Sequence, residues 1–201
     1  LTELEADTTD EDSPLTITLT AGDVENNALT YSGVSDNSDV SVSVSGDQLT
    51  MTPASNYNGS ANITVTVSDG FLTDEGSFEL TIIPVNDSPT IELPVGFTFA
   101  EDGSLEKDFT SYIGDIDGDD LTLTASDMVN VTVGIEGYVV TFGADPDSNG
   151  TEVITFTVDD SQGRSIATDS VAVTVTPVND APVLTELEAD TTDEDSPLTI
   201  T

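Results

Sequence analysis

The sequence predicts an all-β protein made of two tandem seven-stranded Greek-key β-sandwiches joined end to end. Short segments in which apolar and polar residues alternate recur along the chain, as expected for strands that are buried on one face. Turn signals such as Ser45-Gly46-Asp47 and Asn149-Gly150 separate these segments. Thr, Val and Ser are abundant, which is typical of strands, and no segment carries the apolar stripe of a helix.

The alternating segments fall into two similar series. They are Leu15–Leu19, Val40–Val44, Leu49–Thr52, Ile63–Val67 and Phe78–Ile82 in the first series, and Leu121–Leu123, Val129–Ile135, Tyr138–Phe142, Val153–Val158 and Val171–Val175 in the second. With the turns between them, this spacing allows about seven short strands in each stretch of about ninety residues. Regular strands at that density indicate a Greek-key sandwich.

Internal repetition divides the chain. Residues 184–201 are identical to residues 1–18, at an offset of 183, so we expect the chain to be a window of a longer tandem array. A shorter period lies within this one, because Asn86-Asp87 returns as Asn179-Asp180 after 93 residues. The predicted parts are a sandwich in 1–87, a sandwich in 88–180, and the N-terminal strand fragment of the next repeat in 181–201.

Composition excludes several classes of function. Forty acidic residues face two basic ones, for a formal net charge of −38, so nucleic acid and anionic membrane surfaces are not expected partners. The chain has no Cys and no His, which removes disulfides, thiolate metal sites and the commonest general base. The acidity is explained by a solvated surface, by adaptation to high salt, or by bound divalent cations.

Membrane insertion and catalysis are not expected either. No apolar run approaches the length of a membrane span, and the absence of a signal peptide says nothing because Leu1 is not a native start. A carboxylate pair could serve a glycosidase. Every clustered pair here recurs in the neighbouring repeat, however, and we expect no enzyme.

The two linkers carry oxygen ligands between prolines. Pro84-Val85-Asn86-Asp87-Ser88-Pro89 returns as Pro177-Val178-Asn179-Asp180-Ala181-Pro182. The prolines favour an extended backbone, and the amide and carboxylate between them are hard oxygen ligands. We interpret this motif as a hinge between β domains that calcium locks. An ordinary polar linker is the alternative.

Further acids recur at equivalent positions of the two repeats. Glu11-Asp12 and Glu101-Asp102 precede a strand, Asp23-Val24-Glu25 and Asp115-Ile116-Asp117 lie in a loop, and Asp69 and Asp160 end a late strand. Strands that run up and down should place the loops at the end nearest the preceding linker and the Glu-Asp pair at the opposite end. The residues expected to converge on one junction are Glu11, Asn86, Asp87, Asp115, Asp117 and Asp160.

The whole candidate set follows from this periodicity. The candidate metal ligands are Glu11, Asp12, Asp23, Glu25, Asp69, Asn86, Asp87, Glu101, Asp115, Asp117, Asp119, Asp160, Asn179 and Asp180. Like charges about 4 Å apart repel by roughly 4 kcal/mol per pair at an effective dielectric constant near 20. Calcium, with about six to eight oxygen ligands, would relieve that repulsion, and magnesium is the second choice. Solvated acidic turns are the alternative.

The sequence does not decide the role of one local motif. Asp145-Pro146-Asp147-Ser148-Asn149-Gly150 begins like an EF-hand loop, but Phe156 occupies the twelfth position, so it is not an EF-hand. A solvated turn and a local calcium loop helped by Glu152 both remain possible at this point.

Taken in order, these motifs resemble the bacterial cadherin-like repeats of large calcium-binding, RTX-type surface adhesins. The similarity rests on the Glu-Asp pairs, on Asp-x-Glu/Asp ahead of Leu-Thr, and on three further motifs: Asn56-Tyr57-Asn58-Gly59, Thr66-Val67-Ser68-Asp69-Gly70 and the Val-Asn-Asp linkers. It implies Ig-like or cadherin-like sandwiches with calcium at the junctions. The Asp-Arg-Glu motif of animal cadherins is missing, which implies fewer ions per junction, and Glu25 in place of Asp117 implies junctions of different affinity.

The expected function is a calcium-rigidified extender of a bacterial adhesin that projects a distal binding domain, with a role in cell adhesion and biofilm formation. Its expected partners are the neighbouring repeats of the same chain, through calcium-bridged linkers, and it should be a monomer. The expected location is the surface of a Gram-negative bacterium or the extracellular medium. A carbohydrate-binding module and a homophilic adhesion module are the alternatives, although four Tyr and no Trp offer little material for a sugar platform.

Overall fold

The computed structural model describes residues 4–126, 128–163, 166–183 and 194–195. These residues form sixteen β-strands and no helix, which confirms the predicted all-β fold. Within these ranges, accordingly, no helix could cross a membrane. The fragment predicted in 181–201 lies outside the described residues, except for 181–183 and 194–195.

The strands follow one another with short connections. They are β1 (Asp7–Asp10), β2 (Leu15–Thr18), β3 (Thr30–Ser35), β4 (Val40–Ser45), β5 (Gln48–Pro53), β6 (Gly59–Ser68), β7 (Thr73–Ile83), β8 (Thr90–Ile91), β9 (Gly96–Ala100), β10 (Ser104–Asp108), β11 (Ile113–Gly114), β12 (Thr122–Ser126), β13 (Val131–Glu136), β14 (Val139–Ala144), β15 (Gly150–Asp159) and β16 (Ile166–Thr176).

The first repeat is a sandwich of seven strands. One sheet has the order β1-β7-β6-β3 and the other β2-β5-β4. Alternate residues of β6 point into the core, where Ile63 and Val65 are fully buried. Leu49 and Met51 of β5 pack against them from the other sheet. The period-two pattern of the sequence therefore identifies the buried face.

The second repeat has seven longer strands and one short pair. Its sheets have the orders β12-β15-β16-β9 and β10-β14-β13, and β8 pairs with β11. Four aromatic rings, those of Phe97, Phe109, Phe142 and Phe156, fill its core with centroid separations of 4.9 to 6.1 Å. Aromatic pairs at such distances contribute about 0.5–1.5 kcal/mol each beyond the area that they bury.

Three short strands that carry no apolar alternation decide where the acidic residues lie. β1 has the sequence Asp-Thr-Thr-Asp and pairs in parallel with β7, Asp10 lying opposite Ile83. β8 and β11 are only two residues long, and Thr90 lies opposite Gly114. Sequence patterns missed all three strands because backbone pairing, and not the burial of their side chains, holds them in place.

Contacts divide the chain into two compact units. Unit 1 contains Leu1–Ile91, Tyr112–Thr122 and Thr157–Thr168, and unit 2 contains Glu92–Ser111, Leu123–Phe156 and Asp169–Thr201. The division does not follow the period of the sequence, and the boundaries of 1–87 and 88–180 stay a prediction. Each contact of the candidate sites described below lies within one of these units.

The substitution Gly33→Ala should destabilise the first repeat by about 1–3 kcal/mol, the usual cost of overpacking a core. A Cβ on Gly33 would lie 2.7 Å from Leu49 Cδ1 and 2.9 Å from Val42 Cγ1. Gly22→Ala is the matched control, because a Cβ there meets nothing within 4 Å. Urea unfolding measures both, and equal midpoints for the two variants would contradict the close packing of β3 over β4 and β5.

Candidate metal centre

Glu11 lies where β1 ends against β7. Its backbone N–H donates to the Ile83 carbonyl at 2.9 Å, and its Oε1 accepts the N–H of Val85 at 2.6 Å. The side chain is 3% exposed, and its Oε2 is buried without a hydrogen-bond partner among the described residues. An unpaired buried carboxylate oxygen is costly, so this atom is available to bind a cation.

The pairing of β8 with β11 brings a second acidic segment to the first linker. Asp115 directly follows Gly114, and Asp87 precedes Thr90 by three residues. Asp115 Oδ1 accepts the N–H groups of Asp117, Gly118 and Asp119 at 2.9, 3.0 and 3.3 Å and so shapes the loop. Asp115 Oδ2 is buried and has no partner in the described structure.

These segments meet at Asp117. The N–H of Asp87 donates to Asp117 Oδ2 at 2.7 Å. Glu11, Asp87 and Asp117 offer carboxylate oxygens that lie within 4.8 Å of one another, and so do Asp115, Asp117 and Asp119. Asp117 belongs to both groups, and we call their five members the Asp117 cluster.

Asp160 lies beside the cluster and is connected to it through hydrogen bonds of Asn86 and Gln162. It is buried at the end of β15, and its Oδ2 accepts from the Asn86 amide at 2.8 Å. Its Oδ1 accepts from the Gln162 N–H at 2.8 Å. The hydrogen bond from Asn86 first, and then that from Gln162, lower the pKa of Asp160, which therefore stays ionised at neutral pH. Gln162 also donates from Nε2 to Asp119 Oδ1 at 3.2 Å.

Asp87 experiences the repulsion of its neighbours. Burial first, and then the charges of Asp117, Asp12, Glu11 and Asp115, raise the pKa of the Asp87 carboxyl. A raised pKa means that the ionised form is penalised at this position. A divalent cation would reverse that penalty, because it supplies positive charge where only carboxylates converge.

Asn56 was missed as a site residue. It adopts φ +56°, a left-handed conformation that Asn tolerates better than most residues, and its N–H donates to Asp12 Oδ1 at 3.1 Å. With its nitrogen turned toward them, the side-chain amide donates to Asp12 Oδ2 at 3.3 Å and Asp87 Oδ2 at 3.2 Å. The Asn-Tyr-Asn-Gly motif was the available signal, although it did not reveal this role.

The second repeat reproduces the arrangement within unit 2. The N–H of Glu101 donates to the Thr176 carbonyl at 2.9 Å, and Glu101 Oε1 accepts the N–H of Val178 at 2.7 Å. The Asn149 amide donates to Glu101 Oε2 at 3.2 Å. The repeated Glu and linker motifs thus form the same local structure twice.

The motif at 145–150, whose role the sequence left undecided, lies near the second linker. The charge of Asp147 first, and then burial and the charges of Asp102 and Glu101, raise the pKa of Asp180. Asp147 therefore acts on the second linker. The Glu152 carboxylate accepts the backbone N–H groups of residues 129, 130 and 131, so it is already engaged in holding that loop.

The loop acids of the first repeat belong to neither carboxylate group of the Asp117 cluster. Asp69 Oδ1 accepts the N–H groups of Leu72 at 2.6 Å and Phe71 at 2.7 Å, and these bonds lower the pKa of Asp69. Asp23 Oδ1 accepts the Asn27 N–H at 2.6 Å. Asp23 and Asp69 line one shallow depression, and Glu25 is exposed.

The structure therefore sorts the candidate residues into three places. Those brought together in unit 1 are Glu11, Asp12, Asn86, Asp87, Asp115, Asp117, Asp119 and Asp160, those near the second linker in unit 2 are Glu101, Asn179 and Asp180, and those in the loops of the first repeat are Asp23, Glu25 and Asp69. The residues of the first place offer oxygen atoms as ligands. Two of these atoms, Glu11 Oε2 and Asp115 Oδ2, are buried and have no partner among the described residues, which fits a hard cation such as calcium. Metal binding by any of these residues stays a prediction.

Comparison with families of known proteins gives one match. A family model described as bacterial Ig domain matches residues 2–81 and again 86–176. The two matched segments correspond to the two repeats of the sequence. No curated protein matches the chain.

Solved structures show the same fold at low sequence identity. Drosophila N-cadherin EC1–4 is 15% identical, with a TM-score of 0.53, over 88% of this chain and 48% of that one. Human protocadherin-24 EC1–2 is 16% identical, with a TM-score of 0.51, over 83% and 88%. An endo-fucoidan hydrolase of glycoside hydrolase family 107 is 20% identical, with a TM-score of 0.39, over 88% of this chain and only 28% of its own length. The likeness to the two cadherins shows tandem Ig-like sandwiches.

Proposed function

The chain belongs to the bacterial Ig domain family, and on this premise we propose that it is a calcium-rigidified spacer of a bacterial cell-surface adhesin. Tandem repeats of this family suggest an extracellular spacer or adhesion module of a surface protein. The observation that carries the calcium assignment is the buried, unpartnered Oε2 of Glu11 beside Asp87 and Asp117.

The ligands would come from three segments of unit 1. Glu11 follows β1, Asp87 lies in the linker, and Asp115, Asp117 and Asp119 follow β11. Asp115 uses one oxygen to shape its own loop, and its other oxygen has no hydrogen-bond partner among the described residues. A calcium ion accepts about six to eight oxygen ligands in loose geometry, which suits carboxylates that already lie within 4.8 Å of one another.

The mechanical consequence follows from charge. Without a cation, carboxylates about 4 Å apart repel by roughly 4 kcal/mol per pair at an effective dielectric constant near 20. With a cation shared by the segment after β1, the linker and the loop after β11, those segments are held together. Extracellular calcium-binding modules commonly work at dissociation constants of about 10⁻⁴–10⁻³ M, the range in which such a spacer would be saturated outside a cell.

The remaining assignments are part of the proposal. We assign the chain no catalytic activity, and its partners would be the neighbouring repeats of a monomeric, RTX-type adhesin that functions in cell adhesion. All four tyrosines are partly buried, so they offer no exposed aromatic row to a carbohydrate. No observation on the described surface favours homophilic adhesion over a spacer.

Calcium should raise the melting temperature of the chain. Calcium at about 10 mM is about 100 times a Kd of about 10⁻⁴ M. At that ratio the folded state is stabilised by about 2.7 kcal/mol, which for a chain of this size corresponds to a rise of roughly 5–10 °C. Scanning calorimetry in calcium at about 10 mM and in chelator measures the rise. Asp87→Asn should remove most of it, whereas Asp47→Asn, at an exposed turn, should keep it.

Two results would contradict the proposal. Identical melting curves in calcium and in chelator would mean that no stabilising site exists. An equal loss in Asp87→Asn and Asp47→Asn would mean that calcium acts through the overall charge. Small-angle scattering of the same samples tests the mechanical part, since chelation should broaden the distribution of interatomic distances.

A further inference from the structure

We propose that an apolar surface on the first repeat binds the second linker, Pro177–Pro182, of a preceding copy of this chain. The surface consists of Val24, Phe71 and Leu72, and we call it the apolar seat. This inference rests on the proposed role as one unit of a spacer array, and it adds a specific contact between successive units.

The apolar seat is conspicuous on so acidic a chain. Val24 is 91% exposed, Phe71 88% and Leu72 76%. Leu72 lines one depression together with Asp23 and Asp69. Val24 directly follows Asp23, and Phe71 directly precedes Leu72, so all three lie at or beside this depression. Large apolar side chains grouped at a polar rim are typical of a surface that contacts another protein segment.

The second repeat shows which segment lies beside the equivalent surface, where Ile116 is 64% exposed against 91% for Val24. Counted from the matching acids, Ile116 occupies the place of Val24 and Gln162 the place of Phe71. Within unit 1, Ile116 and Gln162 line one depression together with Pro84, Val85 and Asn86. The first linker thus lies against the counterpart of the apolar seat.

Sequence repetition identifies the segment that would bind the apolar seat. Residues 184–201 repeat residues 1–18, so the second linker is followed by the beginning of another first repeat. That linker has the same Pro-Val-Asn-Asp-x-Pro sequence as the first, and its Val178 is exposed like Val85. In an array, the second linker and the apolar seat are therefore equivalent to the first linker and its neighbours.

The two seats differ in polarity, and so do their linkers. Ile116 and Gln162 form the counterpart surface of the second repeat, which we call the polar seat, because Gln162 donates a hydrogen bond to Asp119 there. At the apolar seat, Phe71 and Leu72 offer only apolar side chains. The linker of the polar seat carries Ser88, and the linker assigned to the apolar seat carries Ala181 at the same position. Polar linker and polar seat thus change together to apolar linker and apolar seat.

Fluorescence can test this inference directly, because the chain has no Trp. The probe is Phe71→Trp, introduced into the downstream copy of a tandem duplicate of residues 1–183. The control is the same substitution in the upstream copy, which has no linker before it. In calcium, the downstream Trp should emit at shorter wavelength and be quenched less by acrylamide than the upstream Trp.

Each outcome bears on the inference. Equal quenching of the two tryptophans would overturn it, and a double substitution Leu72→Ser with Ala181→Ser that leaves the downstream Trp protected would also contradict it. Calorimetric calcium titration of the same samples separates this result from the proposed function. Calcium binding with equal quenching defeats the apolar seat alone, and a protected downstream Trp without calcium binding defeats the proposed function alone.

Discussion

Asp117→Asn should weaken calcium binding by about 10–100-fold, the largest effect that we expect from any single carboxylate of the cluster. Asp117 belongs to both groups of carboxylates that could hold an ion, one with Glu11 and Asp87 and one with Asp115 and Asp119. Calcium affinity depends on the number of charged ligands, so one substitution should weaken both positions. Isothermal titration calorimetry of the chelator-treated chain measures the affinity and the number of ions.

The matched control lies three residues away. Asp120→Asn removes the same charge from an exposed residue of the same loop, and neither carboxylate group includes Asp120. It should keep the calcium affinity within about twofold, since an exposed charge that is not a ligand acts on the ion through water of high dielectric constant and is weakened further by salt. If both variants lose affinity equally, general charge would explain the binding and the Asp117 cluster would not be the site.

The backbone of Asp117→Asn should stay in place. The loop is held by Asp115 Oδ1, which accepts three backbone N–H groups, and Asn at position 117 can still accept from the N–H of Asp87. A melting temperature in chelator that is unchanged or higher would show that the loop is intact, because the substitution removes a repelling charge from both carboxylate groups. A variant that melts much lower in chelator would make the loss of affinity a matter of folding, and Asp119→Asn would then serve as the second test.

The sequence predicted which segments form the site, but it did not predict the burial of the individual side chains. Glu11, Asp87 and Asp117 were expected to converge, because strand direction in a sandwich fixes which loops share an end. The burial of Glu11 could not be predicted, because it depends on β1, a strand of Asp and Thr that is recognisable only by its pairing with β7. The approach of Asp115 to the linker likewise depends on β8 and β11, each two residues long.

Asn56 and Asp147 show a second limit of the sequence. Each has φ near +57° and precedes a glycine of positive φ by three residues, so they are equivalent positions in the two repeats. Their side chains act on the two linkers in opposite ways, since Asn56 donates to Asp87 and Asp147 raises the pKa of Asp180. A local motif shows that both sit in turns, but only the folded chain shows which linker each turn meets.

The effect of Glu11→Gln on the free energy of unfolding should change sign when calcium is added. In chelator, the amide oxygen can still accept from the Val85 N–H, and the substitution removes a buried charge from a group of three carboxylates. The variant should then be more stable than the natural chain by about 1–3 kcal/mol. In calcium it should be the less stable of the two, because it has lost an ionised ligand.

Two variants make this reversal specific. Glu11→Ala leaves the Val85 N–H without its acceptor and should be less stable in both conditions. Glu152→Gln removes a carboxylate that holds the backbone of residues 129–131, so it should lower stability equally with and without calcium. Urea unfolding of the four chains in both conditions decides the matter. If Glu11→Gln destabilises the chain in chelator as well, the carboxylate of Glu11 would have a purely structural role, and the orphaned Oε2 would no longer indicate a cation.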